Sequence, residues 1–149
     1  MDRGLEIWLR MYEEQVRHAR HHETLRSQST NLIVAISAAI FGLMASSSAS
    51  GDHPHLLGTF LVVINLFGLL MSLKHYERSR LHVTVASKYR DVISEDSKIG
   101  DRELNLSRKA GKDSHSMRFA KSSRLRAYVL WSGLHLILAG MGAFYTLVG

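Results

Sequence analysis

The chain has no cysteine, which excludes disulfides, thiolate nucleophiles and sulfur-ligated metal sites. It has one proline, Pro54, in 149 residues, so little in it forces a long helix to stop. Charge is missing from three stretches: residues 32–49, 56–73 and 127–148 contain no Lys, Arg, Asp or Glu. A hydrocarbon layer about 30 Å thick is crossed by about 20 apolar helical residues, and each stretch approaches that length. The mean hydropathy of -0.04 conceals this because the intervening segments are highly charged. What remains outside the stretches is too short and too polar for a separate catalytic domain with its own core. A Gly-rich phosphate loop, a Ser/His/Asp arrangement and a paired-carboxylate site are also missing, and Glu95-Asp96 reads as a solvated pair.

What is present predicts an all-α membrane protein. It has three transmembrane helices, an N-terminal amphipathic helix and cytoplasmic helical extensions. Residues 1–30 form the amphipathic arm. Residues 31–74 form a hairpin with spans at 32–49 and 56–73. Residues 75–125 form a basic helical segment with a loop at 94–115, either partly disordered or holding a short helix around Glu103–Leu106, and residues 126–149 form the third span. The first thirty residues carry Asp2, Glu6, Glu13, Glu14 and Glu23 without an apolar run, so no cleavable signal peptide is expected and the first span stays in place.

Charge asymmetry predicts the orientation. The arm carries Arg3, Arg10, Arg17, Arg20 and Arg26, and the turn at residues 50–55 carries no Lys or Arg. Residues 74–126 carry fourteen Lys and Arg against seven acids, a net of +7. The arm and the middle segment are therefore expected in the cytoplasm of a bacterial cell, at the inner membrane, with the C-terminus outside.

In the arm, Leu5, Trp8, Leu9, Tyr12, Val16 and Ala19 recur at helical spacing. Such a face suits either the membrane surface or the protein's own cytoplasmic helices. Ser27-Gln-Ser-Thr-Asn31 reads as a bend or an interfacial helical turn. In the first span, Ala38-x-x-x-Gly42-x-x-x-Ser46 repeats small residues that let helices approach closely. Gly133 and Gly140 do the same in the third. These five are candidate oligomer contacts, with packing inside one chain as the alternative for the first three. Asn65 near the centre of the second span, together with Ser72 and with His135 of the third span, needs protein or water rather than lipid. They are candidates for interhelical bonding or a pore wall. Beyond the second span, Leu81, Val85, Tyr89 and Val92 predict a helical stalk with an apolar stripe. A last helix is expected from about Ser114 or Ser116 through Arg118, Lys121, Arg124 and Arg126 into the third span.

His18-Ala-Arg-His21-His22 has the spacing of one histidine box of a membrane di-iron site, with His18 and His22 on one helical face. That chemistry needs several boxes, and His53, His55, His75, His82, His115 and His135 supply no second one. No metal or cofactor is expected, and the cluster reads as an interfacial polar patch. Arg108, Lys109 and Lys112 form a basic group without interleaved aromatics, which argues against nucleic acid and for anionic lipid, topology or a cytoplasmic trigger.

The run from His18 through Ser29 and Asn31 to Ile40, and Leu73-Lys-His-Tyr-Glu-Arg78 leaving the second span, resemble the hairpin of SLATT-type bacterial membrane effectors. The resemblance covers roughly residues 8–95, and the third span departs from a two-span layout. It implies a homo-oligomer, ring-shaped, that permeabilises the inner membrane on a cytoplasmic trigger such as a phage protein or a sensor partner, as in abortive infection. Alternatives from other classes are a non-conducting scaffold or small subunit of a transporter or envelope complex, and a lipid-modifying enzyme resting on the histidine cluster alone.

Overall fold

The computed structural model describes residues 3–46, 54–96, 101–118 and 127–148. Four helices account for them: α1 (Arg3–Ala45), α2 (Pro54–Asp96), α3 (Asp101–Arg118) and α4 (Ala127–Val148). α1, α2 and α4 are each long and apolar enough to cross a membrane. Pro54 opens α2, where a missing N–H costs nothing because the first-turn donors have no intrahelical partner.

α1 runs through residues 27–31 without a break, as the helical-turn reading expects. Neither Gly nor Pro interrupts it, and Ser29 Oγ donates to the carbonyls of Leu25 (2.8 Å) and Arg26 (3.1 Å). A polar run in a helix is tolerated when its hydroxyls are satisfied by the preceding turn. The loop expected at 94–115 is helical in its described residues: α2 continues to Asp96 and α3 occupies 101–118, far more than the short helix expected around Glu103–Leu106, while residues 97–100 lie outside the described residues. Polarity pointed to a loop, but Arg102, Glu103, Leu104, Leu106, Arg108, Lys109, Ala110 and Lys112 are good helix formers, and acids at 101 and 103 suit a helix N-terminus. Of the helix expected to run from about Ser114 into the third span, the part up to Arg118 belongs to α3 and the part from Ala127 to α4, and residues 119–126 lie outside the described residues. Lys121, Arg124 and Arg126, and the turn predicted at 50–55 as far as residue 53, lie outside the described residues.

The described chain divides into two compact units that do not follow the linear order of segments. One gathers residues 1–22 with 77–126, the other residues 23–76 with 127–149. In the first unit α1 and α2 run antiparallel. The Trp8 and Tyr89 rings lie 5.7 Å apart, and Gln15 Oε1 accepts from His82 Nδ1 at 2.7 Å. Ala19 and Ala86 are buried, so the backbones approach closely where side chains are small. Of the stripe expected on the stalk, Val85, Tyr89 and Val92 are half-buried and Tyr89 meets Trp8, but Leu81 is exposed, and the fully buried positions beside them are Ser79 and Ala86. Close approach selects small residues for the seam and pushes larger ones to its flanks.

In the second unit, residues 23–45 of α1, 54–76 of α2 and α4 form a three-helix bundle. The buried positions of α2 are Gly58, Leu61, Asn65, Gly68 and Ser72; those of α1 are Arg26, Thr30, Ile33, Ser37 and Ile40. Alternating spacings of three and four residues average 3.5, the period that keeps one seam facing a partner helix. Gly58 and Gly142 set the distance between α2 and α4. A Cβ on Gly58 would lie 2.8 Å from the Gly142 carbonyl oxygen, and one on Gly142 2.8 Å from Leu61 Cβ.

Polarity in this bundle is reversed relative to a water-soluble one. Thr30, Ser37, Asn65, Ser72 and His135 are buried, while Leu32, Leu43, Phe60, Phe67, Leu70, Leu136, Ile137 and Phe144 are exposed. In water, exposed apolar patches rarely exceed a few hundred Å². In hydrocarbon the same surface is solvated by lipid, and polar groups turn inward to find partners.

Candidate functional site

The polar interior of the membrane bundle is the most developed cluster of chemistry-bearing groups among the described residues. Asn65 and His135 are both 0% exposed. Asn65 Nδ2 donates to Ser37 Oγ on α1 at 2.9 Å and to the Leu61 carbonyl one turn back at 3.0 Å. Both amide hydrogens are thereby used, leaving Asn65 Oδ1 to accept. His135 Nδ1 on α4 lies 3.2 Å from that oxygen, so the proton sits on Nδ1 and the lone pair on Nε2. Thr30 Oγ1 on α1 lies 3.4 Å from Nε2 and donates to it. One amide and one imidazole thus join all three helices. Gly68 makes room for the ring: a Cβ there would meet His135 Cε1 at 2.5 Å and Ile33 Cδ1 at 2.8 Å.

Ser72 Oγ and Ser132 Oγ are buried and have no hydrogen-bond partner. Ser72 follows Gly68 by one turn of α2, and Ser132 precedes His135 by one turn of α4. Beyond them comes a charged, aromatic layer. Arg26 is buried, paired with Glu23, and its guanidinium carbon lies 5.9 Å from the Tyr76 ring centroid. Tyr76 stacks on Tyr128 at 4.4 Å. At the opposite end of the bundle Leu61 is 0% exposed, the Gly58–Gly142 contact closes the seam, and His55 Nδ1 donates to the Thr146 carbonyl at 2.7 Å.

The structure therefore brings Asn65 and His135 into direct contact and places Ser72 in the same interior, but all three face inward within one chain. The expected oligomer contacts fall elsewhere. Ala38, Gly42 and Gly140 are exposed, Ser46 and Gly133 half-buried. A Cβ on Gly42, Gly133 or Gly140 would meet nothing within 4 Å. Lys109 and Lys112 are exposed on α3, and the Arg108 side chain lies outside the described residues.

Thr30, Ser37, Ser132 and Arg26 were not singled out as site residues from sequence. The signal was present for the first two, since Thr30 and Ser37 are seven apart on α1, opposite the α2 series Gly58, Asn65, Ser72. In the other unit His18 and His22 do share a face, and His82 of α2 joins them. Ring centroids lie 5.1 Å and 5.5 Å from His82, with planes inclined by 27° and 14°. Among the described residues no group of three or more His, Asp or Glu is arranged to hold a metal ion.

Fold and interior together define a multi-pass α-helical membrane protein whose spans are tied by a buried amide–imidazole network. No family model, curated protein or solved structure matches the chain.

Proposed function

We propose that the protein is a self-associating effector of the bacterial inner membrane. Its spans assemble into a ring and permeabilise the bilayer when a cytoplasmic trigger engages the helices outside the membrane, as in abortive infection against phage. The observation that carries this reading is the outward-facing small-residue surface: Gly42 and Gly140 are exposed with open space where a side chain would stand. Small residues permit the close helix contacts that drive association in lipid. The excess of Lys and Arg in residues 74–126 supports a cytoplasmic N-terminus and middle segment and an external C-terminus. Lys109 and Lys112 on α3, with Arg108 beside them in sequence, are the proposed trigger surface. A phage protein or a cytoplasmic sensor is the proposed partner.

Because the space at Gly42 is open, Gly42→Leu fits within a single chain, so lost assembly is separable from misfolding. Ala38→Leu/Gly42→Leu is expected to lower the oligomeric state in lipid nanodiscs and to abolish membrane depolarisation on expression. Retained assembly together with retained depolarisation would sink the reading. Asn65→Leu, which removes an interhelical tie of the closed bundle, is expected to lower the trigger level needed for depolarisation while leaving membrane insertion intact.

A second reading, a non-conducting scaffold or small subunit of an envelope or transporter complex, is favoured by one observation. Asn65 is fully hydrogen-bonded inside the chain, which gives it an interhelical role without a pore. Dye retention by liposomes carrying the protein and its trigger would select it.

A further inference from the structure

We propose that His135 is a proton-binding site within the membrane, reached from the Arg26 end of the bundle and closed at the Leu61 end. This inference does not depend on self-association or permeabilisation; it rests on the interior of one membrane bundle.

Three observations converge. First, the bonding of Asn65 assigns the Nδ1–H tautomer to His135, so Nε2 presents a lone pair toward Thr30, on the side away from Asn65. Among the described residues buried around the ring, that nitrogen carries the one basic lone pair. Second, the hydroxyls of Ser72 and Ser132 are buried without partners one helical turn from the ring, toward Arg26. A buried hydroxyl in a low-dielectric interior normally finds a partner, protein or water. Two open ones, with Thr30, give a row of donors and acceptors along which water carries a proton. Third, the path is polar on one side only. Past Asn65 and Ser37 come Leu61, fully buried, and the Gly58–Gly142 contact.

The transfer is simple to balance. Hydronium gives its proton to Nε2: one O–H bond breaks, one N–H bond forms and water is left. Nδ1–H stays on Asn65 Oδ1. The new Nε2–H donates to Thr30 Oγ1, whose own hydrogen turns to the backbone carbonyl one turn back, a bond helical threonines commonly make. Both imidazolium N–H groups are then bonded, and the hydroxyl dipoles of Ser72 and Ser132, through water, stabilise its charge.

The ionisable groups nearest along the helices are Arg26 and Glu23 on α1, Lys74, His75 and Tyr76 on α2, and Tyr128 on α4. Lys74 is exposed, and Arg26 is paired with Glu23. The charged layer facing the site therefore adds little net positive charge against an arriving proton. On the Leu61 side no ionisable side chain intervenes before His55 and Tyr145.

The test uses full-length protein, labelled with 15N-histidine, in bilayers of phosphatidylcholine and phosphatidylglycerol. His135→Gln assigns the His135 resonances by their loss. The expected result is an Nδ1–H tautomer at high pH that converts to imidazolium as pH falls. Ser72→Ala/Ser132→Ala, which removes no hydrogen bond between protein groups, is expected to lower the conversion midpoint by about one unit or more, a tenfold loss of proton affinity. Thr30→Val should shift it in the same direction. Thr59→Ala, on the exposed face beyond the Leu61 end, should leave it unchanged. His135 remaining neutral at every pH at which helicity is retained overturns the site, as does a midpoint unmoved by Ser72→Ala/Ser132→Ala.

Discussion

Replacing Asn65 with leucine tests the membrane core directly, and its cost can be worked from the structure. Two of its three hydrogen bonds cross between helices, to Ser37 and from His135, and the third returns to the Leu61 carbonyl. Interhelical hydrogen bonds in membrane proteins average about 0.6 kcal/mol and reach about 1.7, so the direct loss is roughly 1–3 kcal/mol. The substitution also strands the His135 Nδ1–H. Ser37 can turn its hydroxyl to its own helix, but an imidazole N–H cannot, and a buried donor left unpaired costs about 1–3 kcal/mol. Leucine recovers some of this by its apolar fit, giving a net destabilisation of about 2–4 kcal/mol.

The assay is unfolding by SDS in mixed micelles, followed by helicity and by Trp131 fluorescence in a Trp8→Phe background. A double-mutant cycle with His135→Leu isolates the contact. Once Asn65 is gone, removing the stranded imidazole costs less than in the wild type, with an expected coupling of about 1–2 kcal/mol. A leucine variant within about 0.5 kcal/mol of wild type, or strict additivity in the cycle, would refute the network.

Three further perturbations probe other parts of the molecule. Gly68→Val is expected to be among the most damaging single changes, at least about 2 kcal/mol in the same SDS assay, because a Cβ there meets both His135 and Ile33; Gly111→Val, where the space is open, should cost far less. Phe67→Lys places a cation on an exposed face near the middle of its span and would be harmless in water, but in a lipid-facing span it should oppose insertion by about 2.5–3.5 kcal/mol, measured by a glycosylation-reporter insertion assay. Trp8→Ala removes the Tyr89 contact and should speed proteolysis of residues 3–22 while leaving carbonate-resistant membrane association unchanged.

The three spans were legible because twenty uncharged apolar residues have few other uses, and the polar exceptions Asn65, Ser72 and His135 stood out against them. The partnership was harder to see. Asn65 and His135 are seventy positions apart, and nothing local says that an amide on one span meets an imidazole on another. The seven-residue series Gly58, Asn65, Ser72, Ser79 and Ala86 was visible in the sequence, yet it alternates among glycine, amide, hydroxyl and methyl. A reading tuned to large apolar residues follows Leu81 and Val85 instead. In the spans the seam is chosen by size and not by hydrophobicity, and on the stalk close approach likewise buries Ser79 and Ala86 and leaves Leu81 exposed. Residues 101–118 failed for the opposite reason: their composition is polar enough for a loop, but their helix propensity is high and Asp101 and Glu103 suit its first turn.

The same features set how hard the bundle is to rearrange. Its helices are joined by close backbone approach and by a network worth only a few kcal/mol, because lipid solvates exposed apolar side chains as well as a protein interior does. Converting a closed state populated 99:1 into an open one populated 99:1 takes about 5.5 kcal/mol of differential binding. That lies within reach of one cytoplasmic partner, since a micromolar complex corresponds to about 8 kcal/mol. A permeabilising rearrangement therefore needs no covalent energy source. Under the proposed function it needs a partner that binds the open arrangement and not the closed one, and the amide–imidazole contact is the element we propose such a partner overcomes. Weakening that contact without stranding a group, as Asn65→Leu/His135→Leu does, should then reduce the trigger concentration required for dye release from liposomes. An unchanged or higher requirement would mean that the network is not part of the closed state's hold.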